Sequence, residues 1–392
     1  MKNQTKKIVS ACVLLLLLFV FVLAPAGCAQ SEDCYVIGLS GPLTGGAAQY
    51  GIAVENGANL AVKEINAQGG LFGHHFKVVA YDDKHDSSNV ANGYAFLLEK
   101  GMQVSLGCVT SAPCAEFKAL SAEDNVFFLT PSATNDEIPS APNGYQMCFA
   151  DGNQGKAAAK YVNSLYEGQT IGVLYASGDN YSEGIRKQFL DNLSENIRTV
   201  TASFVDSDAG IDFSSQINTL KDCSFVFMPI YYTPASQFMI QAKSIANHFE
   251  IFYGCDGLDG IDTVKGFDIS SIPQEISYLS HFSSAATTGA AHDFTEKYRA
   301  EYGETPSQFA ASAYDCVMAI YNAMKLLGEE KVPVDIAPAE LSDLLRGLFD
   351  TTFTYSGVTG SDMKWTKSAS GGYGYVDKAA TKYVVKMSDL DG

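Results

Sequence analysis

The sequence has few basic residues. Its 392 residues include 26 Lys and Arg against 44 Asp and Glu, which gives a formal net charge of −18. Contacts to phosphate backbones and to anionic lipid surfaces depend on Lys and Arg, so an acidic protein is repelled by both. The composition therefore argues against nucleic-acid binding and against electrostatic docking on a membrane, and no nucleic-acid partner is expected.

Motifs of common enzyme classes are also missing. There is no GxSxG nucleophile elbow and no GxxxxGK[ST] phosphate loop, and "GPLTGG" after the first predicted strand does not follow the dinucleotide pattern GxGxxG. The nine cysteines include no CxxC pair, and no Cys/His cluster has zinc spacing. We therefore expect a protein that is not an enzyme and that uses no cofactor and no metal.

One short stretch leaves a metal site as an alternative. "YDDKHD" places His85 beside Asp82, Asp83 and Asp86. Carboxylates and an imidazole can coordinate a metal, but one histidine among loop carboxylates is more typical of a solvated turn. We favour the turn.

The N-terminus resembles an export signal. Three lysines precede an uninterrupted apolar run, and small residues follow just before Cys28, so residues 1–27 are predicted to be a signal peptide. "AGC" resembles a bacterial lipobox, which predicts lipidation of Cys28 and anchoring to the membrane through the lipid. Pro25 departs from the usual Leu, so ordinary cleavage near Ala26 and a retained single-pass anchor stay open as alternatives.

Beyond residue 34 the sequence alternates between strand and helix patterns. "YVIGLS" is a short apolar run, and Val54, Ala58 and Ala61 then recur at helical spacing. The alternation continues to about residue 152 and then restarts, which predicts an α/β fold with two doubly wound parallel sheets. Near the C-terminus, "SASGGYGYVDK" is expected to be an exposed loop.

Ligands of such sheets bind beyond the carboxyl ends of the strands. "GCVTSAPCAEFKAL" lies at one such end, with Ser111 before a predicted helix. Ser111 either caps its own helix or joins the free amides in holding an anion of the ligand. Cys108 and Cys114 flank it and are either a disulfide or two buried thiols.

Two further strand ends carry polar residues. In "TPSATNDE", Ser132 and Thr134 either form local turn bonds or meet a ligand, with Thr134 donating its amide to an anion and accepting from an ammonium through its hydroxyl. In "YGCDGLDG", Asp256 is placed to meet a cation, although Asp259 competes for that role. A site that binds an anion, together with a single acid that binds a cation, suits a zwitterion such as an α-amino acid. Four aromatic residues could enclose its side chain: Tyr50, Tyr181, Tyr231 and Phe309.

These stretches, in this order, resemble the type I periplasmic binding proteins, in particular the leucine/isoleucine/valine-binding proteins of ABC importers. The resemblance covers residues 35–390 and is carried by "IGLSGPLTGGAAQYG", "GANLAVKEINAQGGLFG", "YDD", "FLTPSATNDEI", "DNYSEG" and "QFAASAYD". It implies two lobes joined by a three-crossing hinge. Lobe 1 would be residues 34–152 plus 283–375, and lobe 2 residues 153–282 plus 376–392.

The resemblance also implies roles for individual residues. Ser111 and Thr134 would bind the ligand's carboxylate, while the Ser132 carbonyl and Asp256 would bind its ammonium. Asp256 stands where the family usually has Glu, one methylene longer. Some members join the positions of His85 and Thr110 by a disulfide, which this chain cannot form.

The function expected from these features is that of an exported solute-binding lipoprotein. It would capture a branched-chain or other apolar amino acid as a monomer and deliver it to an ABC permease complex. The alternatives are the same fold binding an amide, a urea or an aromatic acid, or a ligand sensor that signals to a partner.

Overall fold

Two separate β-sheets organise the chain. The computed structural model describes residues 33–207, 210–365 and 374–388. Strands of the first sheet lie in the order β2-β1-β3-β4-β5 and those of the second in the order β11-β10-β9-β8-β6-β7. All neighbouring strands are parallel except β11, which pairs antiparallel with β10. The predicted α/β architecture with two parallel sheets is confirmed.

The strands are short and mostly buried, as expected for sheets covered on both faces. Their bounds are β1 Tyr35–Gly41, β2 Phe76–Asp82, β3 Val104–Cys108, β4 Phe128–Thr130, β5 Gly144–Gln146, β6 Thr170–Ala176, β7 Arg198–Phe204, β8 Phe225–Met228, β9 Ile251–Gly254, β10 Glu275–Ser280 and β11 Thr381–Lys386.

Helices connect most of these strands. Their bounds are α1 Ala48–Ala67, α2 Val90–Glu99, α3 Ser111–Glu123, α4 Asp151–Leu165, α5 Asn180–Asp191, α6 Ser214–Leu220, α7 Tyr232–Ala242, α8 Gly289–Tyr302, α9 Gln308–Leu327 and α10 Pro338–Phe349. None of the helices in the described part of the chain combines the length and the apolar character that a membrane span requires.

Helix α9 returns the chain from the second sheet to the first. It packs closely against α1, and Gly57 makes that approach possible. A Cβ at Gly57 would lie 2.1 Å from the carbonyl oxygen of Ala310. We call the part built on the first sheet lobe 1 and the part built on the second sheet lobe 2.

The predicted loop near the C-terminus is only partly described. Residues 366–373 lie outside the described residues. Most of the rest is not exposed as predicted: Asp377 is exposed, but Val376 and Lys378 are buried, and the Lys378 ammonium donates to the Thr359 hydroxyl at 2.6 Å. The expectation of an exposed loop is wrong here, because this segment carries the chain between the lobes before β11. The predicted signal peptide and Cys28 lie outside the described residues.

Candidate functional site

The carboxyl ends of strands from both sheets border one small cavity. Its volume is about 10 Å³, which is about the space for one water molecule. Of the eight predicted ligand-binding residues, all but Thr134 line it. The full lining is Tyr50, Val109, Thr110, Ser111, Ser132, Tyr181, Tyr231, Asp256, Gly257 and Phe309.

Ser111 is the first residue of helix α3 and not its cap. The N-cap is Thr110, in an extended conformation, and it makes no side-chain bond to the α3 amides within the described structure. Its hydroxyl instead lies 2.8 Å from Nδ1 of His85. The first amides of α3 are therefore left for another acceptor, at the positive end of the helix dipole. This arrangement favours anion binding by Ser111 and the free amides over the alternative that Ser111 only caps its own helix.

The loop after β4 contributes Ser132 and Thr134. The Ser132 hydroxyl donates to the carbonyl of Val109 at 2.7 Å, which fixes the loop against the strand end that precedes α3. Thr134 is fully buried, and its carbonyl accepts from the amide of Asp151 at 2.8 Å. Its hydroxyl has no partner with hydrogen-bond geometry among the residues that the structure describes.

Asp256, in lobe 2, provides a carboxyl on the side of the cavity opposite Ser111. It follows β9 in a single 3₁₀ turn and is 2% exposed. Its Oδ1 accepts from the Gln154 amide group at 2.9 Å and from the Tyr181 hydroxyl at 2.8 Å. Burial raises the pKa of Asp256 to about 7, so this carboxyl gains or loses a proton near neutral pH.

From the sequence, Asp259 and Asp256 are both candidates for the residue that meets a cation, and the structure distinguishes between them. The Asp259 carboxylate accepts from the amide of Gln308 at 3.0 Å and from the hydroxyl of Tyr278 at 2.9 Å. It thus ties lobe 2 to the start of α9, away from the small cavity. Asp256 is the acid that faces Ser111 across it.

Four aromatic rings close the cavity. Tyr181 and Tyr231 stack with centroids 4.8 Å apart and planes at 16°. Tyr50 lies 5.6 Å from Tyr231 and 5.1 Å from Phe309. Because Tyr50 and Phe309 belong to lobe 1 helices and the stacked pair to lobe 2, the rings meet across the cleft.

Polar contacts across the cleft hold the two lobes together. The Tyr50 hydroxyl donates to the carbonyl of Gly257 at 2.5 Å and accepts from the amide of Tyr232 at 3.1 Å. On the other side, the Asn135 amide group donates to the carbonyl of Asn180 at 3.0 Å. The structure therefore represents a closed cleft, and a ligand larger than water enters only if the lobes or the rings move.

The stretch "YDDKHD" builds the loop that carries His85. The Asp83 carboxylate is buried and accepts from the Ser40 hydroxyl and the His85 amide, both at 2.9 Å. Asp82 accepts from the amide of Leu43 at 2.8 Å. These carboxylates serve the turn, and the described residues contain no group of three or more metal-ligating side chains placed to hold an ion.

Within this loop, Lys84 and His85 both have positive φ, 59° and 61°, which is uncommon for residues other than glycine. The result is that the His85 ring points into the cleft. It meets Thr110 on one side and packs edge-on against Tyr231 of lobe 2 at 5.1 Å. A hydrogen bond thus joins His85 and Thr110, the two positions that some family members join by a disulfide and that cannot form one here.

Sequence reasoning missed Asp151, the first residue of α4. It is fully buried, Oδ2 accepts a long bond of 3.3 Å from Asn135, and the Thr134 hydroxyl makes a weak contact with the carboxyl. Burial raises the pKa of Asp151 well above its usual range, and the nearby Asp136 adds to this. Its position at a helix start just after a strand of lobe 1 was the available signal.

The described cysteines, Cys108 and Cys114 included, are free thiols. Both of these are fully buried beside the Ser111 end of α3. Of the two alternatives for this pair, the structure has the buried thiols.

Comparison with known proteins agrees with this architecture. The family described as "Periplasmic binding protein" matches residues 35–358. The "Leucine-, isoleucine-, valine-, threonine-, and alanine-binding protein" of Pseudomonas aeruginosa is 28% identical over 353 residues, which cover 86% of this chain and 88% of that protein.

Solved structures extend the comparison. The branched-chain amino acid transporter substrate binding protein LivJ from Streptococcus pneumoniae, in complex with isoleucine, is 28% identical with a TM-score of 0.76, over 91% of this chain and 97% of that chain. A solute binding protein from R. palustris in complex with benzoate is 21% identical with a TM-score of 0.69, over 92% and 100% of the two chains, and shares the fold. Because the family covers well over half of the sequence, this chain belongs to the periplasmic binding protein family and is a solute-binding protein, not an enzyme.

Proposed function

We propose that this protein is an extracytoplasmic lipoprotein that captures an amino acid, branched-chain or otherwise apolar, and delivers it to an ABC permease complex. The observation that carries the proposal is that one cavity has a site for an anion on one side and a site for a cation on the other. Ser111 and the free amides of α3 lie in lobe 1, and the Asp256 carboxyl lies in lobe 2. A zwitterion can engage both only when the cleft is closed.

Closure of the cleft then follows from the difference between the ligand's affinities for the closed and open forms. A ligand that contacts both lobes binds the closed form better than the open form and shifts the hinge equilibrium toward closure. The closed form presents a surface that a permease can distinguish from the open one. The eight residues, the lobe boundaries predicted from the sequence and a monomeric state belong to this proposal.

An unpartnered polar group supports a ligand at this place. Buried polar groups in proteins are nearly always hydrogen-bonded. The Tyr231 hydroxyl has no hydrogen bond to a described residue, and Tyr231 lines the cavity, whereas the Thr134 hydroxyl lies beyond the lining and interacts with Asp151. A ligand with donors and acceptors in the cleft would meet such a group.

A calorimetric or thermal-shift screen of the twenty amino acids tests this function. We expect at least one apolar amino acid to raise the melting temperature in a concentration-dependent manner. If no α-amino acid gives a response, the proposal is wrong.

Membrane anchoring is tested separately. Incorporation of a labelled fatty acid in cells should depend on Cys28, and Cys28→Ser should release the protein from the membrane fraction. Fatty-acid labelling that persists in Cys28→Ser would contradict lipidation at this residue.

A neutral amide is the second candidate ligand. A carboxyl with a pKa of about 7, as burial gives Asp256, can be protonated at neutral pH and then donates to an amide carbonyl as well as it accepts from an ammonium when ionised. Including acetamide, urea and benzoate in the same screen decides between these ligand classes.

A further inference from the structure

A second and larger cavity lies beside the one that Ser111 and Asp256 line. Its volume is about 320 Å³, which is within the size range of small-molecule sites in proteins. Tyr50 and Phe309 border both cavities, so these two side chains form a wall between the larger space and the proposed amino-acid site. We call the larger space the second cavity.

Both lobes contribute to the second cavity. Lobe 1 contributes Tyr298 of α8, a helix that packs against α1, and Glu304 from the turn before α9. Lobe 2 contributes Asp259 and Asp262, which follow β9, and Tyr278 of β10. A ligand in this cavity therefore contacts both lobes when the cleft is closed.

Aromatic side chains supply most of the apolar lining of the second cavity. Six of them border it: Tyr50, Tyr278, Phe282, Tyr298, Phe309 and Tyr383. The rings of Tyr278 and Tyr383 lie 5.3 Å apart, and Tyr383 is 37% exposed, so this part of the lining can be reached from solvent. Aromatic rings attract cations over their faces, and groups of such rings bind quaternary ammonium ligands.

The charged side chains in the same lining are all acidic. They are Asp259, Asp262 and Glu304, and no lining residue that the structure describes is Lys, Arg or His. Neutral groups donate to two of these acids: the Tyr278 hydroxyl to Asp259 at 2.9 Å, and the Tyr298 hydroxyl to Glu304 at 3.2 Å. Within the described ranges, no ion pair includes any of the three. The lining therefore carries negative charge without a counter-ion from the protein.

One basic side chain contacts this lining from outside. Arg299 donates to the hydroxyl of the lining residue Thr305 at 3.3 Å, but its guanidinium is paired with Glu296 at 3.1 Å. Burial raises the pKa of Asp259, and the neighbouring Asp262 carboxylate adds to this. A cation in the cavity would relieve this repulsion between like charges.

The spacing of the acids favours an organic cation over a metal ion. The described part of the chain has no group of three or more metal-ligating side chains placed to hold an ion, so the three carboxylates are too far apart to coordinate one metal. A cavity of this volume with rings between the acids suits a cation that has a hydrocarbon surface.

We propose that the second cavity binds an organic cation of the alkylammonium class, and that this cation stabilises the closed cleft and so strengthens amino-acid binding. The first part stands by itself, whereas the second part rests on the amino-acid capture proposed above. Since the cation contacts both lobes only in the closed form, it shifts the hinge equilibrium toward closure. The coupling between the two sites is then reciprocal.

Choline tests the requirement for charge. Its control is the alcohol in which a tert-butyl group replaces the trimethylammonium group, because the two molecules have the same shape and differ in charge. Titration calorimetry on the purified full chain without an amino acid should show saturable choline binding, with an affinity at least about tenfold above that of the alcohol. Equal binding of the two molecules, or no saturable binding of choline, overturns the inference.

Variants of the exposed acids test the position of the cation. The double variant Asp262→Asn and Glu304→Gln should weaken choline binding about tenfold or more, and both side chains are exposed, so the fold should be retained. Asp293→Asn is the matched control, because it removes an exposed charge from α8 outside the cavity lining. It should bind choline as the wild type does. Choline binding that is unchanged in the double variant overturns the inference.

Asp256→Asn distinguishes the two cavities, because Asp256 is also a carboxyl close to aromatic rings. Choline binding should be unchanged in this variant. Loss of choline binding in Asp256→Asn would mean that the cation occupies the amino-acid site, and the inference would fail.

The coupling between the sites is measured with an amino acid that responds in the screen described above. Saturating choline should lower the dissociation constant of that amino acid several-fold in the wild type and leave it unchanged in the double variant. If choline binds in the second cavity without this effect, its role in closure is wrong. If no amino acid binds at all, the proposed function fails, whereas the choline titrations still decide whether the second cavity binds a cation.

Discussion

The hydroxyl of Tyr50 in lobe 1 donates a hydrogen bond of 2.5 Å to the carbonyl oxygen of Gly257 in lobe 2. Packing within lobe 2 requires glycine at position 257, because a Cβ there would lie 2.6 Å from the Tyr181 hydroxyl and 2.7 Å from the carbonyl oxygen of Ile230. The bond exists only when the cleft is closed, so it stabilises the closed form without touching the charged ends of a ligand.

Tyr50→Phe should therefore weaken every ligand by a similar factor. The loss of the cross-lobe bonds costs roughly 1 kcal/mol, which corresponds to about a fivefold higher dissociation constant. The measurement is calorimetry with several amino acids, combined with small-angle scattering to follow closure.

Tyr35→Phe is the control for this prediction. Its hydroxyl donates to the carbonyl of Val332 at 2.7 Å, away from the cavity lining. It should lower the melting temperature and leave affinity unchanged. If Tyr35→Phe weakened binding as much as Tyr50→Phe, the effect would be one of general stability and not of cleft closure.

Ser111→Ala should weaken the binding of any ligand that carries a carboxylate. The Ser111 oxygen accepts from the amide of Asn135 at 3.3 Å, which leaves its proton free to be donated. Hydrogen bonds to charged groups contribute roughly 1.5–3 kcal/mol, so the affinity should fall about ten- to a hundredfold.

Ser121→Ala is the matched control, since Ser121 is buried on the same helix and donates to the carbonyl of Lys118 at 3.0 Å. Its affinity should equal that of the wild type. Unchanged affinity in Ser111→Ala for every amino acid tested would show that the anion seat lies elsewhere.

Ligand affinity should rise with pH through the neutral range. Burial raises the pKa of Asp256 to about 7 from its ordinary value near 4, and an ammonium binds the ionised form. Below pH 7 the carboxyl must release its proton before it pairs with the ligand, so the dissociation constant should fall about tenfold per pH unit there and level off above pH 8.

Proton release measures this coupling directly. Calorimetry in buffers with different ionisation enthalpies should show close to one proton released per ligand at pH 6 and almost none at pH 8.5. Asp256→Asn should abolish the release and most of the affinity. If the ligand binds with no proton release at pH 6, Asp256 stays protonated in the complex, and a neutral amide is then favoured as the natural ligand.

The same carboxyl affects the stability of the ligand-free protein in the opposite direction. An acid with a higher pKa in the folded than in the unfolded state binds more protons when folded, so stability falls as pH rises between about 4 and 7. Asp256→Asn should therefore stabilise the ligand-free protein at pH 8, by on the order of 2–4 kcal/mol, and have little effect at pH 4. Urea denaturation at both pH values is the check.

Much of the site was predictable because parallel sheets place their strand ends together. Ser111, Ser132 and Asp256 each follow a buried strand, and the two-sheet topology brings them to one cavity. Thr134 differs. It lies beyond a turn, where the direction of a side chain depends on local geometry that spacing does not specify, and it packs toward Asp151 instead of lining the cavity.

Helix α4 begins at Asp151. "DGNQG" contains poor helix formers, which conceals the first turn. The structure stabilises this turn through Asn153, whose side chain accepts from the amide of Ala150 at 3.1 Å, and through an acid near the positive helix end. A residue that stabilises a helix start in this way cannot be recognised from helix propensity alone.

Two fully buried aspartates should respond in opposite ways to substitution by asparagine. Asp315 accepts four hydrogen bonds, from the amides of Val358 and Thr359 at 2.8 and 2.7 Å and from the hydroxyls of Thr359 and Tyr355 at 2.6 and 3.1 Å. Asp315→Asn turns an NH₂ group toward these donors and should destabilise the protein by roughly 2–3 kcal/mol.

Asp151 accepts a long bond from Asn135 and a weak contact from the Thr134 hydroxyl, so Asp151→Asn removes a poorly solvated carboxyl and should cost less than about 0.5 kcal/mol, or stabilise the protein above neutral pH. Urea denaturation of both variants without ligand at pH 7 and pH 8.5 gives the comparison. Equal destabilisation by the two substitutions would mean that Asp151 is a structural carboxylate with its full set of partners, and its position beside the cleft would then say nothing about ligand binding.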